Sequence, residues 1–223
     1  MPKFNYMEKQ SDISFPMRSI LVDWVVEVGE EFDVETETVH LAVNYIDRFL
    51  SYMSVQRAKL QLVGTSSMFI ASKYEEIYPK ELDKFVYITD DTYNKRQVLK
   101  MEKLILGVLK FSVSPPTAHF FVTHLAKMAG CEPKAVALAQ YLAELTLLDG
   151  ETYLVYPPSV VGSAAVALAR HTLGYAAWDE NMARRSGYEV NDISSCLISL
   201  HKTFCGAKKS PQQSIVEKYK HAR

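Results

Sequence analysis

The chain has 223 residues, 48% of them hydrophobic, and 25 Lys plus Arg against 26 Asp plus Glu give a formal net charge of -1. Such apolar content excludes a disordered chain, and the charge balance supplies no field favouring nucleic acid or an anionic membrane. A partner must therefore be selected by shape and local chemistry. Cys131, Cys196 and Cys205 form no C-x-x-C and cannot all pair, so they read as small buried hydrophobes in a reducing compartment. No charged n-region followed by an apolar h-region opens the chain, and no apolar run reaches about 20 residues, so neither secretion nor membrane spanning is expected.

Residues 1–15 are polar, with Pro2 among them, and read as a tail or short capping segment. Pro16 suits the first turn of a helix whose apolar residues cover more than one face. Met17, Leu21, Val25 and Val28 share an arc, Val22 and Val26 lie further round, and only Ser19, Asp23, Glu27 and Glu30 form a polar stripe. This helix is expected at the centre of a bundle. Ile20 and Trp24 fall at the boundary beside Glu27, which would leave an apolar ledge next to a carboxylate.

A second helix is expected over 38–50, with Val39, Ala42, Val43, Ile46, Phe49 and Leu50 as its stripe, and a third from about Gln56 to Tyr74. Gly64 and Ala71 lie two turns apart on one side of it. Because glycine in a helix interior costs roughly 1 kcal/mol relative to alanine, close approach of another backbone is expected at Gly64. A short fourth helix runs from Pro79 to Val86, and Asp90-Asp91-Thr92 is expected to cap a fifth that ends near Leu109. Ser114-Pro115-Pro116 then stops the chain and marks the best boundary between halves.

The second half repeats the first. Val161-Gly162 through Ala169-Arg170-His171 matches Val63-Gly64 through Ala71-Ser72-Lys73 in size pattern, with glycine and alanine in register. Gln140-Tyr141-Leu142 through Leu145 matches Asn44-Tyr45-Ile46 through Leu50. No segment alternates β-branched residues between turn signals, so the fold class is all-α, with two like bundles in tandem over 16–115 and 116–206. Gly206 to Pro211 closes the second unit, and 207–223 forms a C-terminal helix or tail with its helix over 212–219. Lys208-Lys209 is too short for a targeting signal.

The common phosphate-binding, metalloprotease and nucleophile-elbow motifs are missing, which disfavours an enzyme and any cofactor. His40 and His119 read as core or surface side chains rather than metal ligands. All-helical prenyl-diphosphate cyclases carry magnesium on aspartate-rich motifs, but Asp90-Asp91 lacks the third aspartate, and Asn191-Asp192-Ile193-Ser194-Ser195 has Ser199 where a closing glutamate is needed. Both sets read as helix caps.

Met17-Arg18-Ser19-Ile20-Leu21 with Asp23-Trp24, Asn44 through Leu50, Lys59 through Gly64, and Ala71 through Pro79 together resemble the cyclin box. Tyr87 to Tyr93 and Val28-Gly29-Glu30-Glu31 resemble the A-type branch of the family. The likeness is dense over 16–116 and thinner afterwards. It implies two five-helix cyclin boxes in tandem and a regulatory subunit that activates a cyclin-dependent serine/threonine kinase, with no active site, cofactor or metal of its own.

By the same resemblance Lys73 and Glu102 would hydrogen-bond the kinase backbone near its C helix, with Tyr74, Leu106, Phe111 and Val113 in apolar contact. Taken alone, Lys73 and Glu102 read as a solvated pair at helix ends. Met17, Ile20, Leu21, Trp24 and Leu60 would form a groove for the leucine of R-x-L motifs in substrates and Cip/Kip-type inhibitors. Glu27 would pair with the motif's arginine and Gln61 with its main chain. On patterning alone, burial against another helix accounts for these apolar residues better than a groove does.

Ser19 stands where the family has alanine, and Val113 where it commonly has leucine. Family members carry a further N-terminal helix and a degradation signal upstream, and little precedes residue 16 here. A trimmed core that binds its kinase more weakly than a longer form is the expectation. The free chain is expected to be monomeric and to act in nucleus and cytoplasm, with neither nucleic acid nor membrane as a partner. The alternative is a cyclin-fold module of the transcription-factor type that grips DNA and a polymerase, but it needs a basic stripe the sequence does not show. A helical-repeat scaffold is disfavoured by the double proline between only two units.

Overall fold

The structure, a computed structural model, describes residues 1–220, and every regular element in them is helical. Contacts divide it between Pro115 and Pro116 into two compact units.

The first unit contains a 3₁₀ turn (Tyr6–Lys9), α1 (Phe15–Glu31), α2 (Thr36–Leu50), a second 3₁₀ turn (Arg57–Lys59), α3 (Leu60–Glu75), α4 (Leu82–Tyr87) and α5 (Lys95–Val108). The centre is α3, not α1. Every residue of α3 from Leu62 to Ser72 is buried, and the helix touches α1, α2, α4 and α5. By contrast α1 packs on α2 and α3 and leaves Ile20, Glu27, Glu30 and Glu31 outside. The reason lies in side-chain size. Gly64, Thr65, Ser66, Ser67, Ala71 and Ser72 let neighbours close on α3 from several directions, and its hydroxyls need few partners. Thr65 Oγ1 donates to the Gln61 carbonyl at 2.9 Å and Ser66 Oγ to the Val98 carbonyl of α5 at 3.3 Å.

At Gly64 the close neighbour is a side chain. A Cβ there would lie 2.7 Å from Leu21 Cδ1, so glycine admits the tip of an α1 leucine rather than another backbone.

Helix α1 is pinned to α2 by a buried ion pair. Arg18 Nε donates to Asp47 Oδ1 at 2.6 Å and Nη2 to Oδ2 at 2.7 Å, with both residues at most 3% exposed. The Tyr6 hydroxyl donates to the same Oδ1 at 2.8 Å. Burial, with the Asp47 carboxylate beside it, pushes that hydroxyl's pKa above its usual range and keeps it a donor. Gln10 Nε2 donates to the carbonyls of Leu50 and Met53, 2.8 Å each, and its Oε1 accepts from the Val55 amide at 3.0 Å. Residues before α1 are thus seated on the end of α2, with Tyr6, Gln10 and Ile13 buried.

Two helix starts differ from the sequence expectation. Asp90 and Asp91 adopt φ of 50° and 54°, a left-handed turn that short polar side chains tolerate, and they do not cap α5. Its cap is Asn94, whose side chain accepts from the Gln97 amide at 3.0 Å while Gln97 Oε1 accepts from the Asn94 amide at 2.9 Å. Pro79 lies before α4, which begins at Leu82.

The second unit comprises α6 (Ala118–Met128), α7 (Pro133–Leu148), a short α8 (Gly150–Tyr153), α9 (Pro158–Thr172), α10 (Glu180–Ser186), α11 (Val190–Gly206), a 3₁₀ turn (Ala207–Lys209) and α12 (Ser214–Lys220). Buried from Val160 to Ala169, α9 plays the part of α3 and packs on α6, α7 and α11. Here the glycine does meet backbone: a Cβ at Gly162 would lie 2.6 Å from Phe121 Cβ and 3.2 Å from the Ala118 carbonyl oxygen. Glu189 is the N-cap of α11, and Asp192, inside the helix with the rest of Asn191 to Ser195, completes its capping box by accepting from the Glu189 amide at 2.8 Å.

Helix α12 is held to α7 by Lys218, whose Nζ lies 2.9 Å from Oε1 of fully buried Glu144, and by Tyr219, whose ring centroid is 5.2 Å from that of Tyr141. The last three residues of the 207–223 segment, 221–223, lie outside the described residues. The cysteines are free but not uniformly buried: Cys196 is in the core, where burial pushes its thiol pKa up to about 12, Cys131 is half-buried and Cys205 is exposed on α11.

Replacing Asp47 by Ala strands the Arg18 guanidinium in the core, so urea unfolding should show a loss of about 3–5 kcal/mol. A loss below 1 kcal/mol would show that water reaches Arg18 (order of magnitude for an exposed pair). His119, on the first turn of α6, has its pKa lowered from 6.5 to about 4 by burial and then by the Lys218 charge. Between those values the unfolded chain holds a proton that the native state lacks, so stability falls as pH drops through that window, by at most about 3 kcal/mol. Urea titrations from neutral to acid pH should show His119→Gln losing less stability over that interval than the parent chain.

Candidate functional site

Because α3 is enclosed along its middle, only its two ends reach the surface: Gln61 is half-buried at one, and Lys73, Tyr74 and Glu75 are exposed at the other. The expected site residues gather at these ends.

At the C-terminal end, Lys73 pairs with Glu102 of α5, and its Nζ lies 4.2 Å from the centre of the Phe69 ring. The Glu102 side chain is 12% exposed and that of Lys73 is 42% exposed, so α5 holds the carboxylate inside while the ammonium faces water. Lys73 has three N–H donors and Glu102 two acceptor oxygens, more than one mutual bond consumes. The backbone behind them is fixed. Glu76 Oε1 accepts from the Glu35 amide at 3.0 Å and from Thr38 Oγ1 at 2.5 Å, tying the end of α3 to the start of α2.

Tyr74 and Phe111 are exposed and Leu106 and Val113 half-buried. The chain leaves α5 through Lys110 and Phe111, with φ of 53° and 55°, and the Phe111 amide donates to the Leu106 carbonyl at 3.0 Å. A left-handed bulky residue costs of order 1–3 kcal/mol and is held only where its surroundings insist. Two contacts do so: Tyr45 Oη donates to the Val113 carbonyl at 2.5 Å, and Arg48 Nη1 to the Ser112 carbonyl at 2.7 Å. They leave Phe111 72% exposed.

Three further apolar side chains were not among the expected residues. Leu99 stands one turn before Glu102 on α5, at a spacing the helical period makes legible, and Ile77 and Tyr78, just past α3, are each 87% exposed. Their exposure had no local sequence signal.

At the N-terminal end, Ile20 is 60% exposed, Glu27 exposed, and Met17, Trp24 and Gln61 half-buried. Leu21 and Leu60 are only 5% and 6% exposed. They are a floor beneath the ledge and not accessible walls, because Leu21 inserts into the space beside Gly64. Ile20, Trp24 and Glu27 follow one another at i, i+4 and i+7 on the outer side of α1, which sets an apolar strip next to a carboxylate.

Among the described residues no group of three or more His, Cys, Asp or Glu is placed to hold a metal ion, and no helix is long and apolar enough to cross a membrane.

Residues 1–114 match the family model described as cyclin, N-terminal domain, and residues 116–223 the one described as cyclin, C-terminal domain. A protein of Patella vulgata named G2/mitotic-specific cyclin-A is 55% identical over 221 residues, covering 99% of this chain and 52% of that protein. Cyclin-A2 of Gallus gallus is 54% identical over 222 residues, covering all of this chain and 56% of its own length. The chain thus spans about half the length of these relatives. In fold, a viral cyclin from herpesvirus saimiri superposes with a TM-score of 0.78 at 20% identity, over 91% of this chain and 92% of the viral one. With both of its units matched and the two relatives just named both A-type cyclins, the chain belongs to the cyclin family, A type.

Proposed function

We propose that the chain is the activating regulatory subunit of a cyclin-dependent serine/threonine kinase that drives the cell cycle in nucleus and cytoplasm, and that it makes or breaks no bond itself. The observation that carries this reading is the Lys73–Glu102 pair, set at the exposed end of an otherwise enclosed helix among Tyr74, Leu99 and Phe111.

A kinase is active when its C-helix glutamate meets the β3 lysine and its activation loop is open. A partner that binds this arrangement better than the inactive one shifts the population toward it. Lys73 would donate to backbone carbonyls beside the C helix and Glu102 would accept from backbone amides, while the apolar side chains exclude water and strengthen both bonds. The ledge of Met17, Ile20 and Trp24, floored by Leu21 and Leu60, would take the leucine of an R-x-L motif from a substrate or a Cip/Kip-type inhibitor. Glu27 would then pair with its arginine and Gln61 with its backbone. Two surfaces at opposite ends of α3 would let activation and recruitment proceed separately.

The test is co-purification with a cyclin-dependent kinase, followed by phosphorylation of matched peptides with and without R-x-L. Lys73→Ala with Glu102→Ala should weaken capture by at least tenfold, since charge-assisted hydrogen bonds contribute about 1.5–3 kcal/mol each. Trp24→Ala should leave capture and activity on the plain peptide unchanged and abolish the advantage of the R-x-L peptide. Undiminished capture by the double variant would overturn the interface, and a Trp24→Ala chain that fails to activate would overturn the separation of the two surfaces.

A further inference from the structure

A groove of about 810 Å³ runs along α5 beside the start of α3, and no proposed role uses it. Its apolar lining includes Leu62, Leu104 and Val108, and Leu104 is 42% exposed. Lys59, Lys100 and Lys103, all exposed, stand along its rim, and among the described residues that line it there is no carboxylate. At about 100° per residue, Leu104 and Val108 lie on one flank of α5, and Glu102 and Leu106 on the other. Val98 and Ile105 are buried between them. The groove therefore faces away from the Lys73–Glu102 surface and stays open when that surface is covered.

We infer that this groove docks an acidic, amphipathic peptide segment of a partner protein. An apolar floor asks for Leu- or Phe-like side chains, which a nucleic acid backbone lacks, and the cationic rim asks for Asp or Glu beside them. From Gln97 to Val108 the groove is about 16 Å long at 1.5 Å per residue, room for three helical turns. Gly107 faces open space in it, since a Cβ at that position would meet no atom within 4 Å. The inference does not depend on the kinase reading, because it concerns the free chain.

The test is fluorescence anisotropy of the full chain with a labelled peptide of about twelve residues, three helical turns, in which Leu and Phe at helical spacing are set among Glu. Saturable binding that weakens with added salt is expected. Lys59→Glu, Lys100→Glu and Lys103→Glu together should weaken it at least tenfold, as should Gly107→Trp, which fills the groove without entering the core. Unchanged circular dichroism of both variants would show that the fold is kept. Absence of saturable binding, equal binding of the counterpart with Lys for Glu, or indifference to both variants would overturn the inference. So would tighter binding of a single-stranded oligonucleotide, which would assign the rim to phosphates, or a dimer of the chain abolished by Gly107→Trp, which would assign the groove to a second copy.

Discussion

The burial of α3 is the constraint on which the first unit depends. From Leu62 to Ser72 the helix has no solvent-facing side, so its neighbours are placed by how closely they can approach small residues. Leu21 settles into the space left by Gly64, and the Ser66 hydroxyl meets the Val98 carbonyl of α5. A larger residue at either point would push α1 or α5 outward, and with it Trp24 or Glu102. The two surfaces proposed to bind partners are therefore the two ends of one rigid rod. A helix of sixteen residues spans about 24 Å, and that length sets the distance between them.

The Arg18–Asp47 pair secures the other side of this arrangement. Buried ion pairs contribute little net stability compared with well-packed apolar residues, but they tolerate only one geometry. Here the bidentate bond fixes α1 in register with α2, and Tyr6 uses the same carboxylate to seat the residues that precede α1. The ledge on α1, proposed above to recruit substrates, thus has a position set by polar bonds inside and by Leu21 packing beneath. Phe111 follows a similar logic at the opposite end, where Tyr45 and Arg48 of α2 hold a left-handed turn that turns an aromatic ring into water.

Much of this was legible in the residues. The glycine and alanine in register at 64 and 71, and again at 162 and 169, announced two like bundles, and α3 and α9 are the helices that carry them. Helical spacing on α1 placed Ile20 and Trp24 beside Glu27 at a boundary. The greasiness of α1 misdirected, however: α3 is no less apolar on average, and what marks it as the centre of a tight bundle is the small size of its Ser, Thr, Gly and Ala, which lets neighbours approach on every side. Asp90 and Asp91 misdirected for a related reason, since the same short carboxylates suit a cap and a left-handed turn, and only the Asn94–Gln97 pairing decides between them. Phe111 gave no local sign at all, because the bonds that expose it come from a helix some sixty residues earlier.

The central claim is that α3 is preformed and presents its ends without rearranging. Hydrogen exchange of the chain alone and with a cyclin-dependent kinase tests it most directly. Amides from Leu62 to Ser72 should exchange only through global unfolding in the free chain and slow in the complex by no more than the common factor that binding adds to global stability, while Lys73 to Tyr78 and the turn at Phe111 gain local protection. Exchange of the α3 core by local opening in the free chain, with protection appearing only when kinase is added, would contradict the claim and mean that the partner builds the surface it binds.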